Sequence, residues 1–535
     1  MARQIHTRWK ITGRLKAETP IHVGGMGGDA DTDLALAVNG KGNYYIPGTS
    51  LAGAFRGWLS KPFSKKELEA IDHPVNQLWG FQDRQGNGHA SFVIIDDAEI
   101  GGDPQIEIRE GVGIDRDTGA AADKAKYSRA ILPKGVTFPL KITLDCKKDS
   151  EATELWKLLL ALENGDIRIG AAKTRGLGKV KLIEKFEIEK HQLNNADGLF
   201  KSLLNQDLEE DWSTLKANIT YQSPAKLDLC INWQPKDPVM VKAEGDGIAV
   251  DILPLVSRVA NNDVRFVIPG SSIKGVLRAH AERIVRTVCE KDTGDKFLKQ
   301  VQLSLIDELF GAASYKRKNQ EIETGLIGIL GVDDCYGTLP MNPEHWAAVE
   351  NAPKDHREFA GRSVQTDELT ELKGRLSTAL KIDETEAFKK LQPAMHVAID
   401  RWTGGAADGM LYSVLEPIGV DWEPIGIHLD LARLEKYHFD LLQPAIALLL
   451  LVLRDFANRK IPIGYGTNRG MGTVEVIEMQ SIANGVKNLD QLNGEHSIAN
   501  NLSDLDPQLL EQLTEAWRDW IKSSTQTNQK EEQAA

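Results

Sequence analysis

The chain has 535 residues, 41% hydrophobic and 26% charged, and 64 Lys plus Arg against 77 Asp plus Glu give a formal net charge of −13. That composition excludes wholesale disorder, collagen-like repeats and a coiled-coil rod. The charge excludes a protein that coats nucleic acid with a basic surface, leaving only a local basic groove.

In chain order, Trp9–Ala17 alternates and is rich in β-branched residues, as a strand should be. Ser50–Leu59 has helical spacing, Phe92–Ile95, Phe138–Leu144 and Val180–Phe186 read as strands, and Glu151–Leu162 reads as an apolar helix. In the second half Ser272–Val288 and Leu441–Leu453 are helical. Pro507–Lys522 reads as one amphipathic helix and Ser523–Ala535 as a disordered tail. Strands with two helices on one face predict an α+β fold of ferredoxin-like, RRM-like domains. Cys146, Cys230, Cys289 and Cys335 form no CxxC pair and no disulfide framework, which points away from structural zinc and toward a reducing compartment. The longest apolar run, Ala445–Leu453, is nine residues; a spanning helix needs about 20. The first residues lack the apolar core of a signal peptide, so a cytoplasmic location is expected.

The chain repeats itself. Ile46-Pro47-Gly48-Thr49-Ser50-Leu51-Ala52-Gly53-Ala54-Phe55-Arg56 returns as Ile268-Pro269-Gly270-Ser271-Ser272-Ile273-Lys274-Gly275-Val276-Leu277-Arg278, with six of eleven positions identical. Ile114-Asp115-Arg116-Asp117-Thr118-Gly119 returns as Ile399-Asp400-Arg401-Trp402-Thr403-Gly404. Ile167-Arg168-Ile169-Gly170, continuing to Arg175-Gly176-Leu177-Gly178, returns as Ile461-Pro462-Ile463-Gly464, continuing to Arg469-Gly470-Met471-Gly472. Asp96-Asp97 is echoed by Asp333-Asp334. Three blocks in one order, twice, imply two homologous domains in tandem, 1–190 and 217–480. Residues 191–216 connect them, a helical insertion occupies 337–395 of the second, and 481–535 hold the C-terminal helix and tail.

The Gly-rich turns set Lys173, Arg175 and Arg469 beside exposed N–H groups, which suits a sugar-phosphate backbone. They are neither a Walker A loop nor a dinucleotide fingerprint, because no Gly-Lys-Ser/Thr closes them and a strand, not a helix, follows. At the Ile-Pro-Gly turn, Thr49 or Ser271 can cap the next helix, and Ser50, Arg56, Ser272, Lys274 and Arg278 lie near its N-terminus, where an anion is favoured. Ahead of it runs Gly24-Gly25-Met26-Gly27-Gly28-Asp29-Ala30-Asp31-Thr32-Asp33, which lacks the Gly and Glu of an EF-hand. Its counterpart is Glu244-Gly245-Asp246-Gly247-Ile248-Ala249-Val250-Asp251. Pro20 to Asp33 and Pro238 to Asp251 are both 13 residues, while Asp246 matches Asp29 by its glycine setting, so Asp246 and Asp251 both stand as candidates in the second half.

His22-Val23-Gly24-Gly25, the Asp loop, Ile-Pro-Gly-Ser-Ser, Ile-Asp-Arg-x-Thr-Gly and the final Arg-Gly-x-Gly together resemble the RAMP superfamily of CRISPR proteins. More narrowly they resemble the backbone subunits of type III effector complexes, and the fusion of two resembles the tandem backbone protein of the type III-D variant. The resemblance implies binding of CRISPR RNA and its complementary target RNA, alongside other effector subunits. It implies a hairpin carrying Arg116 or Arg401 that wedges into the strand, and cleavage dependent on a divalent metal, Mg²⁺ or Mn²⁺, through an Asp that falls on Asp33, the expected metal holder. His22, Gly24 and Gly25 would line the RNA. In the second half Met240-Val241-Lys242-Ala243 replaces His-x-Gly-Gly, which leaves open whether Asp246, Asp251 or neither cuts. Two other readings remain: an inert scaffold of the same family, and a guide-processing endonuclease using His22.

Overall fold

The computed structural model describes residues 4–534 apart from 26–31, 65, 84, 207, 221–223, 260–262, 293–296, 302, 314, 317–321, 324, 360–361, 366–368, 488 and 499–501. Asp29 and Asp31 of the Gly-rich loop lie outside the described residues.

The first repeat opens with strand β1 (Thr7–Ala17), whose alternation buries Trp9, Ile11, Leu15 and Ala17. Helix α1 (Gly48–Ser60), strand β2 (Val93–Ile95), the hairpin β3 (Glu107–Ile114) and β4 (Ala121–Ile131), strand β5 (Thr137–Cys146), helix α2 (Thr153–Asn164) and strands β6 (Val180–Leu182) and β7 (Glu187–Gln192) follow. Helix α3 (Ala196–Leu204) and strand β8 (Glu209–Glu210) complete it. The sheet order is β8-β7-β1-β5-β2, with β6 also paired to β1, all antiparallel. This is a ferredoxin-like arrangement: fourth, first, third and second strands side by side, with the β3–β4 hairpin inserted between the second and third. Leu51, Phe55 and Trp58 of α1 and Leu155, Leu158, Leu159 and Leu162 of α2 share one core with the sheet's Trp9, Ile11, Phe138, Leu140 and Ile142.

The second repeat rebuilds the pattern with strand β9 (Lys226–Pro235), helix α4 (Gly270–Val288), strand β10 (Leu330–Val332), the hairpin β11 (Leu391–Ile399) and β12 (Ala406–Pro417), strand β13 (Ile425–Asp430), helix α5 (Phe439–Ala457) and strand β14 (Val474–Asn484). Its sheet order is β10-β13-β9-β14-β15, where β15 spans Gly494–Ile498. Between β10 and β11 lie the helices Pro343–Glu350, Thr370–Leu380 and Glu384–Lys390 of the insertion, and Trp346 meets Phe266 edge to face at 5.2 Å.

The chain divides into two compact units whose boundaries cross the repeats. One comprises Met1–Gly111, Lys126–Lys226 and Asp430–Tyr437; the other comprises Val112–Ala125, Leu227–Leu429 and His438–Ala535. The tip of the first hairpin therefore belongs to the second unit. Three expectations change. The segment 191–216 is built into the first unit: β8 extends its sheet, and Trp212 is buried against Trp156 and Phe186 with its indole N–H donated to Glu163. Residues 481–535 hold more than a helix and a tail, because β14 runs to Asn484 and pairs with β15. Beyond Lys522, where a disordered tail was expected, helix α6 spans Pro507–Ala534; its Gln, Lys, Glu and Ala residues are good helix formers.

The Ile-Pro-Gly turns also differ in detail. The cap is neither Thr49 nor Ser271. The Gly48 N–H donates to Asp97 Oδ1 at 2.7 Å, and the Gly270 N–H donates to Asp334 Oδ1 at 2.7 Å. Glycine is required because a Cβ at these positions would sit 2.2 Å from the Ile95 carbonyl oxygen and 2.1 Å from that of Val332. The second Asp of each echoed pair is thus a helix cap supplied from a distant loop. Asp97→Ala and Asp334→Ala should each cost about 1 kcal/mol as lost caps, read as a lower urea midpoint, and Gly270→Ala should cost more.

Candidate nucleic-acid interface

The loop carboxylate of each repeat is latched to the second strand of its own hairpin. In the first, Asp33 Oδ2 accepts hydrogen bonds from the Ser128 N–H at 2.7 Å and the Ser128 hydroxyl at 3.2 Å, while the Asp33 N–H donates back to Ser128 Oγ at 2.9 Å. In the second, Asp251 Oδ2 accepts from the Ser413 N–H at 2.7 Å and hydroxyl at 2.9 Å, and the Asp251 N–H donates to Ser413 Oγ at 3.0 Å. The residue after each Asp makes the same parallel bridge, Leu34 to Arg129 and Ile252 to Val414. Asp251 is therefore the structural counterpart of Asp33. Asp246 ends the short strand Lys242–Asp246 and is ion-paired with Lys242 at 3.1 Å.

One position earlier on the same strand stands a tyrosine, Tyr127 or Tyr412. Its hydroxyl takes the guanidinium of the Gly-rich turn: Arg175 donates to Tyr127 at 2.8 Å, and Arg469 donates to Tyr412. The turns are seated alike. Gly170 (φ 76°) and Gly464 (φ 89°) lie where a Cβ would come 2.2 Å from the carbonyl oxygens of His22 and Met240. The next N–H groups, of Ala171 and Tyr465, donate to those same carbonyls at 2.8 and 2.7 Å. One strand thus holds a carboxylate and a guanidinium at adjacent positions, with Asp33, Arg175 and Arg469 exposed.

The surroundings differ. In the first repeat Arg129 lies over the Tyr127 ring, 5.7 Å from its centroid, and burial and the charge of Arg175 lower its pKa. Burial, and then the charge of Lys61, lowers that of Lys173. His22 is buried, and its Nδ1 donates to the Ala130 carbonyl at 2.7 Å, which fixes the tautomer with Nε2 bare. Burial lowers the His22 pKa, the Ala130 bond opposes this, and the charge of Arg129 lowers it further. Gly24 bridges Leu36, and Gly25 packs where a Cβ would sit 2.6 Å from the Leu36 carbonyl oxygen. In the second repeat His396 stacks on Tyr412, ring centroids 5.3 Å apart.

Several residues expected at RNA have protein partners. Lys274 is buried, with its ammonium on the Leu330 carbonyl at 2.7 Å. Arg278 donates to Glu282 at 2.6 Å, to the carbonyls of Gly311 and Val301, and to Asp307. Burial pushes the Asp307 carboxyl up to about 6 even with that guanidinium beside it. Arg116, at the first hairpin tip, pairs with the same buried Glu282 at 2.6 Å, and Asp115 accepts from Gln300. Arg56 donates to Asn76 at 3.2 Å. Ser50 and Ser272 lie half-buried in the first turns of α1 and α4. Arg401, by contrast, is exposed beside Trp402, itself 96% exposed.

No group of three or more His, Cys, Asp or Glu side chains able to hold a metal occurs among the described residues. Among the described residues each site offers one carboxylate, which matches Mg²⁺ held mainly by water and substrate phosphate rather than by a protein cage. The sequence did not single out Tyr127, Ser128, Tyr412 or Ser413. Their signal was the shared Tyr-Ser pair at one distance past Ile-Asp-Arg-x-Thr-Gly in both repeats.

The RAMP superfamily model matches residues 14–181 and 245–475, more than half of the chain. The chain belongs to the RAMP superfamily. It is a CRISPR-associated, RNA-binding RAMP protein with tandem domains, and the two matched stretches carry the two latched carboxylates. No curated protein matches it. Among the described residues no helix of this RAMP protein is long and apolar enough to cross a membrane.

His22 yields a pH prediction. Its folded pKa lies below its unfolded value, so its contribution to stability is intact above about 6.5 and is lost as pH falls. The ring, followed by NMR in histidine-labelled protein, should titrate below the ordinary imidazole value. Arg129→Gln should move that midpoint upward by removing a cation.

Proposed function

We propose that this protein is a tandem backbone subunit of a type III CRISPR effector, of the type III-D kind, that grips CRISPR RNA and cuts the complementary target RNA at two places. The observation that carries this reading is the duplicated latch: Asp33 with Ser128, Tyr127 and Arg175, and Asp251 with Ser413, Tyr412 and Arg469. Guide pairing supplies sequence specificity, and the protein needs only to hold backbone and shape.

RNA brings its own nucleophile, the 2′-OH, which is poorly aligned with the leaving 5′-oxygen in a regular A-form strand. A hairpin that wedges a base out of the stack brings the two into line. The exposed tip around Arg401 and Trp402 suits such a wedge. Asp33, fixed through Oδ2, presents Oδ1 as a general base toward the 2′-OH proton. Arg175 and Lys173 face the phosphate with positive charge as its oxygens gain negative charge. A divalent cation, when bound, would be held by Asp33 or Asp251 and would neutralise charge at the phosphate. His22, neutral and committed through Nδ1, supports the loop.

The test is a guide-loaded complex given a target labelled at both ends. Asp33→Ala should remove one cut and Asp251→Ala the other, each by about 10²–10⁴-fold. Asp246→Ala should leave both. Persistence of both cuts in the Asp33→Ala, Asp251→Ala double variant would make the protein a scaffold and place cleavage in another subunit.

A further inference from the structure

The latch is duplicated, but its charge is not. The structural equivalences pair Arg129 with Val414, Lys173 with Thr467 and His22 with Met240. The first site thus carries two guanidiniums around one phenol: Arg175 on the Tyr127 hydroxyl and Arg129 over its ring face. Arg129 Nε is buried without a hydrogen-bond partner, and Arg129 forms no ion pair among the described residues. At the matching place Val414 is 1% exposed and apolar, so among the described residues the Tyr412 phenol has a single guanidinium, Arg469.

Arg129 is half-buried beside the exposed Arg175, and the two guanidiniums repel one another. The lowered pKa of Arg129 registers both its burial and the charge of Arg175, and that of Lys173 registers burial and the charge of Lys61. In a chain of net charge −13, such a cluster persists at a cost unless an anion occupies it for part of the working cycle. A phosphodiester between Arg129 and Arg175 would receive charge-assisted donors from two sides.

We propose that Arg129 and Arg175, spread by Tyr127, form a two-guanidinium phosphate clamp in the first repeat that the second repeat lacks, so that the two sites are unequal and the first is the stronger. This rests on the reading of Asp33 and Asp251 as the marks of two RNA sites. Arg129 is a positioning residue: it fixes the phosphate that the carboxylate addresses.

The experiment uses the full chain with its guide RNA and a doubly labelled target. In the unsubstituted protein, single-turnover cleavage at the Asp33-dependent position should exceed that at the Asp251-dependent position by about tenfold or more, the worth of one charged hydrogen bond. Arg129→Val, which installs the second repeat's residue, should bring the first rate to within a few-fold of the second without moving the second, while the urea midpoint holds or rises because the crowded cation is gone. Arg129→Lys should restore part of the difference. Binding of the target strand by the guide-loaded protein, measured against salt, should lose about one unit of log–log slope in Arg129→Val, one phosphate contact fewer. Equal rates in the unsubstituted protein, or an unchanged salt slope in Arg129→Val, would overturn the clamp. If Asp33→Ala spares the first cut, the cleavage reading fails, while the salt slope still decides the clamp.

Discussion

Everything at the interface depends on a latch between a loop carboxylate and one serine of a strand. Ser128 offers Asp33 both its N–H and its hydroxyl, and takes the Asp33 N–H in return. Three hydrogen bonds to one residue fix Asp33 and its carboxylate. Because Tyr127 precedes Ser128 on the same strand, fixing the carboxylate also fixes the guanidinium of Arg175. A slip of one residue in β4 would exchange the two faces and break both. The second repeat meets the same constraint with the same atoms.

The duplication was legible because three spaced blocks recur, and the ferredoxin-like core was legible because its strands alternate and its helices carry apolar stripes. Asp33 was found through its setting in a motif. The choice between Asp246 and Asp251 was not legible, since spacing and glycine context pointed to different residues. Only the register of β12, which lies more than 150 residues away, separates them. The helix caps were missed for a similar reason: Asp97 and Asp334 act 49 and 64 residues from the glycines they cap. Segment 191–216 looked like a connection because its polar composition hides the one side chain, Trp212, that ties it to the core.

Identical motifs have also been given different work. Arg116 and Arg401 occupy the same position in Ile-Asp-Arg-x-Thr-Gly, yet one is paired with a buried glutamate and the other is open to solvent. Lys274 and Arg278, which look like anion ligands beside a helix N-terminus, satisfy carbonyls and carboxylates inside the second unit. A sequence repeat reports common ancestry of the backbone. Which charges stay available is settled by neighbours such as Glu282, which has only Ser60 at the matching place in the first repeat.

The exchanged segments carry a consequence for any attempt to separate the halves. Val112–Ala125 is counted with the second unit and Asp430–Tyr437 with the first. A cut in the chain near residue 220 therefore severs neither unit cleanly: each fragment keeps a piece that completes the other. Two polypeptides made this way would each lack a segment that the other carries.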